Sequence, residues 1–347
     1  MVNILIALGF TFAVGLSLRH VLDYDPDGTV VVTTYLLFYG LIAWMRSSSE
    51  TDTIPDDDLP DRSEWPIPGP FNSLGSKAGR FLFLSVFWTT HLLSLVNPFQ
   101  LLQIARQLIG LLKLRIRRQK LDHDGSEYQT KANYSFPFRG EWLVYNGGIT
   151  PQTSHSWDIL GQRFAIDFVQ ADSDFSRHTG KGTRLDDYYC YGEDILAASS
   201  GVVIRIEDRI SNAPFVGFGL CDFMARSFIG NHVIIEHAEN EYALYAHLIK
   251  GSVCVQPGEK VVQGQIIGRC GHSGHSSEPH LHFHLQDSSD IFNGMGLPIR
   301  FDTAEIDGNK TTNRHVTAGQ RVRNISPRLE GTEEDKQRAA NDWEHDG

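Results

Sequence analysis

Residues 276–287 read SSEPHLHFHLQD, and His280, Leu281 and His282 within them have the spacing of a ligand strand. On a β-strand, side chains two residues apart share a face. His280, His282 and His284 therefore line one face, while Leu281, Phe283 and Leu285 point to the other, where a core would lie. A row of imidazoles on a rigid strand suits a metal site, provided other segments supply partners. Three segments offer them: YAHL with His247, FAID with Asp167, and the preceding TSHSWD with His155. A histidine pair plus a carboxylate matches the three-ligand catalytic zinc site, which leaves one position open. No HExxH occurs, so a helix-borne site with its own glutamate base is excluded. The remaining histidines would then have to handle protons, which imidazole does near neutral pH.

Taken in order, these segments resemble the lysostaphin/LytM-type zinc metalloendopeptidases. The resemblance spans roughly 160–300. It rests on the aspartate strand, GEDILAASSGVV (192–203), GNHVIIEH (230–237), LYAHL (244–248) and PGEKVVQGQIIGRCGHSGHSSEPHLHFHL (257–285). The resemblance implies a Zn2+ cofactor with Asp167 and His282 as ligands. It also implies His247 and His280 as the catalytic pair, and peptide bonds of peptidoglycan as substrate. One position departs from the family pattern. The family carries a histidine four residues before the aspartate, and here Arg163 stands there. Guanidinium has no lone pair to offer a metal. Either His155 folds back as the third ligand, or the domain is a degenerate relative that binds cell wall or a partner hydrolase and regulates it.

Other histidines read as less involved. His284 is expected beside the site or exposed, His272 and His275 as exposed loop residues, and His232 and His237 as structural. Asp158 stands close enough to orient His155 or cap a turn. The segment 209–229 is longer than a hairpin needs, and Phe215, Phe218 and Phe223 are candidates to wall a cleft, as are Tyr188, Tyr189 and Tyr191. Asp186 and Asp187 have no metal-ligand spacing. Lys260 lacks the turn setting of a carrier-domain lysine.

The elements that must hold this constellation are short β-branched and aromatic runs between glycine turns. Strands are expected at 162–169, 201–207, 231–237, 241–248, 265–268 and 279–286. No long helical period separates them, so residues 135–327 should form a mainly β domain, a small antiparallel barrel or sandwich. The four cysteines contain no CxxC, which leaves two disulfides or free buried thiols open.

The first third differs in kind. Residues 2–18 and 29–45 carry no charge, and 81–97 hold only His91, so each approaches the length of a membrane span. Residues 1–98 are thus expected to form a membrane region with two or three transmembrane helices. Within it, the Ser-, Asp-, Pro- and Gly-rich 47–79 reads as a loop. Residues 99–134 read as a basic amphipathic helix and linker. Leu101, Ile104, Leu108 and Leu112 recur at helical spacing, and Lys113, Arg115, Arg117, Arg118 and Lys120 gather at the end, which suits a lipid surface. Residues 328–347 read as a disordered charged tail. The basic cluster argues for a cytoplasmic C-terminal domain, whereas the family resemblance argues for an extracytoplasmic one. A formal net charge of -11 excludes a general nucleic-acid binder.

Overall fold

A computed structural model describes residues 28–47, 65–119 and 128–325, with the single positions 11, 15, 19 and 62. The expected span at 2–18 lies almost wholly outside the described residues, and so does the tail at 328–347. Among the described residues, three α-helices longer than a few turns precede the β domain: α1 (Gly28–Ser47), α2 (Ser76–Leu93) and α3 (Pro98–Gln119). Helix α1 covers the uncharged run at 29–45. Among the described residues, Lys77–Val96 is the segment long and apolar enough to cross a membrane by length and composition, and 17% of it is buried. Asn97 caps α3, its side-chain oxygen accepting from the Phe99 N–H, and Pro98 follows in the first helical position.

Helices α2 and α3 are docked on the β domain. Gly110 of α3 allows the closest approach: a Cβ there would lie 1.7 Å from the Phe292 carbonyl oxygen. Arg117 and Arg106 of α3 pair with Asp287 at 2.6 Å and Asp290 at 3.9 Å. Within 47–79, the described part is bound to the domain. Trp65 stacks on Phe175 with ring centroids 4.8 Å apart, and the Gly69 N–H donates to His178 Nε2. Of the stripe expected at Leu101, Ile104, Leu108 and Leu112, Leu101 and Leu112 are exposed while Ile104 and Leu108 are partly covered, and Phe99, Leu102, Ile109 and Ile116 extend the outward face.

The domain is mainly antiparallel β. Its strands are β1 (Glu141–Asn146), β2 (Ile166–Val169), β3 (Asp194–Leu196), β4 (Gly201–Glu207), β5 (Asn231–Ala238), β6 (Glu241–Leu248) and β7 (Lys260–Val261). They continue with β8 (Ile266–Arg269), β9 (Leu281–Gln286), β10 (Gly296–Leu297), β11 (Phe301–Ile306), β12 (Asn309–Arg314) and β13 (Arg321–Asn324). One sheet runs β12-β11-β13-β1-β2-β9-β6-β5-β4-β7, with β10 on β9; β3 and β8 form a second, two-stranded sheet. The strand expected over 162–169 is shorter, because Leu160–Gln162 makes a 3-10 turn before it.

The core lies under β9 as its alternation requires. Leu281, Phe283 and Leu285 are at most 1% exposed and pack with Tyr245, Phe168, Phe136 and Trp142. Each such aromatic contributes roughly 1.5–3 kcal/mol of burial, which fixes the register of the strand that carries the histidines. All four cysteines are free thiols, and Cys254 is the exposed one.

Candidate metal centre

Register brings the first two donors together. Strand β2 lies between β1 and β9, and Asp167 is the cross-strand partner of both His282 and Asn146. His282 Nδ1 lies 2.9 Å from Asp167 Oδ1, and Asn146 Nδ2 donates to Asp167 Oδ2 at 2.9 Å. Burial by itself would raise the Asp167 carboxyl. The facing His155 and His280 and the His282 hydrogen bond outweigh it and hold the group well below the usual carboxylate range.

The third donor comes from a loop. His155 Nδ1 is 3.5 Å from Asp167 Oδ2, and donor atoms of His155, Asp167 and His282 all lie within 4.8 Å of one another. The loop is pinned on either side of the histidine. Ser154 Oγ donates to the Arg163 carbonyl at 2.8 Å and Ser156 Oγ to the Gln162 carbonyl at 2.6 Å. Arg163 itself turns toward the loop. Its Nε donates to the Trp157 carbonyl, and its guanidinium lies 4.5 Å from the Trp157 ring centroid. The residue that departs from the family pattern thus braces the segment that carries His155. The sequence carries that signal as the two serines that flank His155.

His247 and His280 complete the cluster. Simple alternation along β6 would send His247 to the core side with Tyr245. Its left-handed φ of 63° interrupts that alternation, at a place where the β5–β6 register shifts. The imidazole instead faces His280, with ring centroids 4.6 Å apart. His247 Nδ1 donates to the Ser273 carbonyl at 2.7 Å and His280 Nδ1 to the Glu278 carbonyl at 2.8 Å. A neutral ring that donates through Nδ1 keeps a bare lone pair on Nε2. Burial, reinforced by His280 and His282, holds His247 well below its ordinary pKa, so it stays neutral.

His284, expected beside the site or exposed, is 1% exposed and is bonded to the candidate ligand itself. The Gln286 amide donates to the Ser288 carbonyl, so its oxygen accepts from His284 Nε2–H at 3.1 Å. His284 Nδ1 then accepts from His282 Nε2–H at 3.1 Å. His282 Nδ1 faces the Asp167 carboxylate: protonated, it donates the hydrogen bond to Oδ1, and without that proton its lone pair and the carboxylate can share a cation. The donor set therefore fits a bound divalent metal. Burial pushes His284 down to about 3, which keeps its ring neutral near neutral pH. Replacing His284 with phenylalanine is expected to weaken zinc affinity about 10–100-fold. Chelator competition would measure it, and an unchanged affinity would remove His284 from any orienting role.

His272, expected in an exposed loop, is 0% exposed with Nδ1 on Ser276 Oγ. His275, expected to be likewise exposed, is half-buried and bonds Gln100 Oε1 of α3 at 2.8 Å. Both differ for one reason: helices α2 and α3 and the 209–229 segment cover their loop. Phe218 packs edge-on to Phe71, while Phe215 is exposed. Tyr188 is buried on the Gly182 carbonyl. His232 and His237 bond backbone carbonyls at Gly230 and Ser200. Below the site, Arg177 and Glu278 form a buried ion pair at 2.9 Å. It anchors the residue whose carbonyl orients His280. Glu278→Ala strands a buried guanidinium and should cost about 3–5 kcal/mol. Urea unfolding of the full chain checks this, and a loss below about 1 kcal/mol would match an exposed pair instead.

The comparisons with known proteins agree with this geometry in kind. Residues 181–294 match the model of peptidase family M23. That range includes His247, His280 and His282 and begins after His155 and Asp167. The chain is 33% identical over 129 residues to the peptidoglycan DD-endopeptidase ShyC of Vibrio cholerae serotype O1, covering 35% of this chain and 25% of that protein. It is 41% identical over 58 residues to the peptidoglycan DD-endopeptidase ShyA of the same organism, covering 17% and 13%. It thus spans a quarter or less of the length of these two relatives. A solved zinc containing peptidase from Vibrio cholerae matches at 20% identity and TM-score 0.27, covering 48% of this chain and 39% of that one. By that match, the part of the chain that carries His247, His280 and His282 is similar to peptidase family M23.

Proposed function

We propose that this chain is a membrane-anchored zinc metalloendopeptidase that hydrolyses peptide bonds in peptidoglycan. The observation that carries the reading is the convergence of His155, Asp167 and His282 within 4.8 Å, with two further imidazoles beside them. The named relatives act as peptidoglycan DD-endopeptidases, which supports a cell-wall cross-link as substrate.

His155, Asp167 and His282 would hold the zinc. Bound zinc supplies Lewis acidity, polarising a carbonyl and bringing the pKa of water toward about 7. The protein does the rest. His280, with Nε2 3.7 Å from Asp167 Oδ1, is placed to take the proton of the attacking water. His247 is fixed by the Ser273 carbonyl and faces His280. Once protonated, either ring can donate to the oxygen that develops negative charge. Near-complete burial of His247 and His282 strengthens those interactions by excluding water.

The uncharged runs at 2–18 and 29–45 would anchor the chain, with the domain on the side that holds the wall. The test uses the full chain purified in detergent. It should carry one zinc per chain and convert cross-linked muropeptide dimers to monomers. A chain with neither zinc nor cleavage would sink the proposal. Zinc without cleavage would mark a regulatory relative instead.

A further inference from the structure

Helices α2 and α3 and the turn between them bury an unusual number of polar groups and expose large apolar ones. Besides Leu111 and Leu114, the side turned to the β domain carries Thr90, Ser94, Asn97 and Gln100, at 3%, 1%, 6% and 0% exposure. These groups are hydrogen bonded into the domain. The Cys221 N–H donates to Thr90 Oγ1, Asn97 Nδ2 donates to the Phe223 and Ala225 carbonyls, and Gln100 Nε2 donates to those of Asp222 and Ala225. The outward faces carry Phe81, Trp88, Val96, Leu102, Ile109 and Ile116, each between 52% and 75% exposed. From Phe81 to Ala105 no Asp, Glu, Lys or Arg occurs. Soluble monomers rarely leave an apolar surface of this extent in water.

Charge narrows the choice of partner. Residues 76–119 contain no acid and seven basic residues, in a chain whose net charge is -11. Lys77 and Arg80 precede the uncharged stretch, while Arg106, Lys113, Arg115, Arg117 and Arg118 follow it. Apolar residues between basic ends fit a surface that is greasy inside and phosphate-bearing at its rim.

The docking also excludes one mode of insertion. Helix α2 is held to the domain at successive turns: Phe83 beside Gly219, Thr90 on Cys221, and His91 with its ring centroid 5.1 Å from that of His275. A polar domain pressed along the helix cannot enter hydrocarbon with it. We propose that α2 and α3 lie together in the plane of an anionic phospholipid bilayer, as one interfacial platform, and that α2 does not cross. The proposal stands apart from the peptidase reading. It has a consequence for the groove, because Gln100 of α3 bonds His275, five residues before His280. The platform therefore holds the site at a fixed height above the lipid.

The test places nitroxide labels on the full chain in phosphatidylglycerol vesicles. Cys254→Ser removes the exposed thiol, and Phe81→Cys, Trp88→Cys, Val96→Cys, Leu102→Cys, Ile109→Cys and Ile116→Cys are labelled one at a time. Oxygen against nickel-chelate accessibility gives depth. The expected result is one shallow depth at all six positions, on the order of 5–10 Å below the headgroups. A depth that peaks at Trp88→Cys and falls toward water at both ends of α2 overturns the proposal in favour of a span. Labels open to the chelate alone, or closed to both reagents as under a second copy of the chain, also overturn it. In phosphatidylcholine vesicles the labels should be shallower, and unchanged depth would refute the anionic preference.

Discussion

His155→Ala is expected to empty the metal centre. Zinc should fall from one ion per chain to a trace, and hydrolysis by at least about 10⁴-fold, since water would return toward its unassisted pKa. The expectation follows from how few donors the site has. Asp167 and His282 come from paired strands, and among the described residues His155 is the one further donor in the ligand cluster. Arg163 cannot substitute, since its guanidinium stacks on Trp157 and has no lone pair to donate. An Arg163→Ala variant should therefore act indirectly, by loosening the loop that holds His155. Metal analysis of the full chain decides the matter. Full zinc occupancy in His155→Ala would refute the relocated ligand and revive the degenerate reading.

The second large effect separates ligands from proton carriers. His280→Ala and His247→Ala should keep stoichiometric zinc yet lower kcat by about 10²–10⁴-fold, the usual contribution of a positioned acid or base. Both rings donate through Nδ1 to backbone carbonyls, of Glu278 and Ser273, so their bare Nε2 atoms remain for substrate chemistry. At φ 63° position 247 is strained by about 1 kcal/mol for any residue other than glycine or asparagine, the native histidine included. His247→Asn adopts that backbone without the ring and controls for it. If either alanine variant loses its zinc, the residue belongs with the ligands.

Part of this was open to inspection in the chain itself. The alternation of Leu281, Phe283 and Leu285 with three histidines defines which face of β9 is core, and burial enforces it. Residues 201–207 and 241–248 show strand boundaries as the β-branched and aromatic runs suggest. The polar strand β12, NKTTNR, carries no such pattern, because an edge strand exposed on its faces needs no apolar alternation. His247 was legible as a histidine in YAHL, but not the backbone turn that brings it to the site. The burial of His272 depends on the 209–229 segment and the role of His275 on helices more than a hundred residues upstream, which no local spacing reports. The same holds for α3, whose apolar stripe can be counted although the face the domain covers cannot.

The loop that carries His155 has a kinetic meaning. The Asp167 and His282 side chains are 8% and 6% exposed on paired strands, whereas the His155 side chain is 34% exposed on a loop. An ion leaving or entering would break or make the His155 bond at the open side. The hydroxyls of Ser154 and Ser156 would then set how long a metal resides without touching it. Ser156→Ala should release zinc to a chelator faster while its two strand-borne ligands stay in place, and an unaltered release rate would contradict this. The centre is in this sense a latch with two buried jaws and one open to solvent, and the open one is written in a serine-histidine-serine triplet.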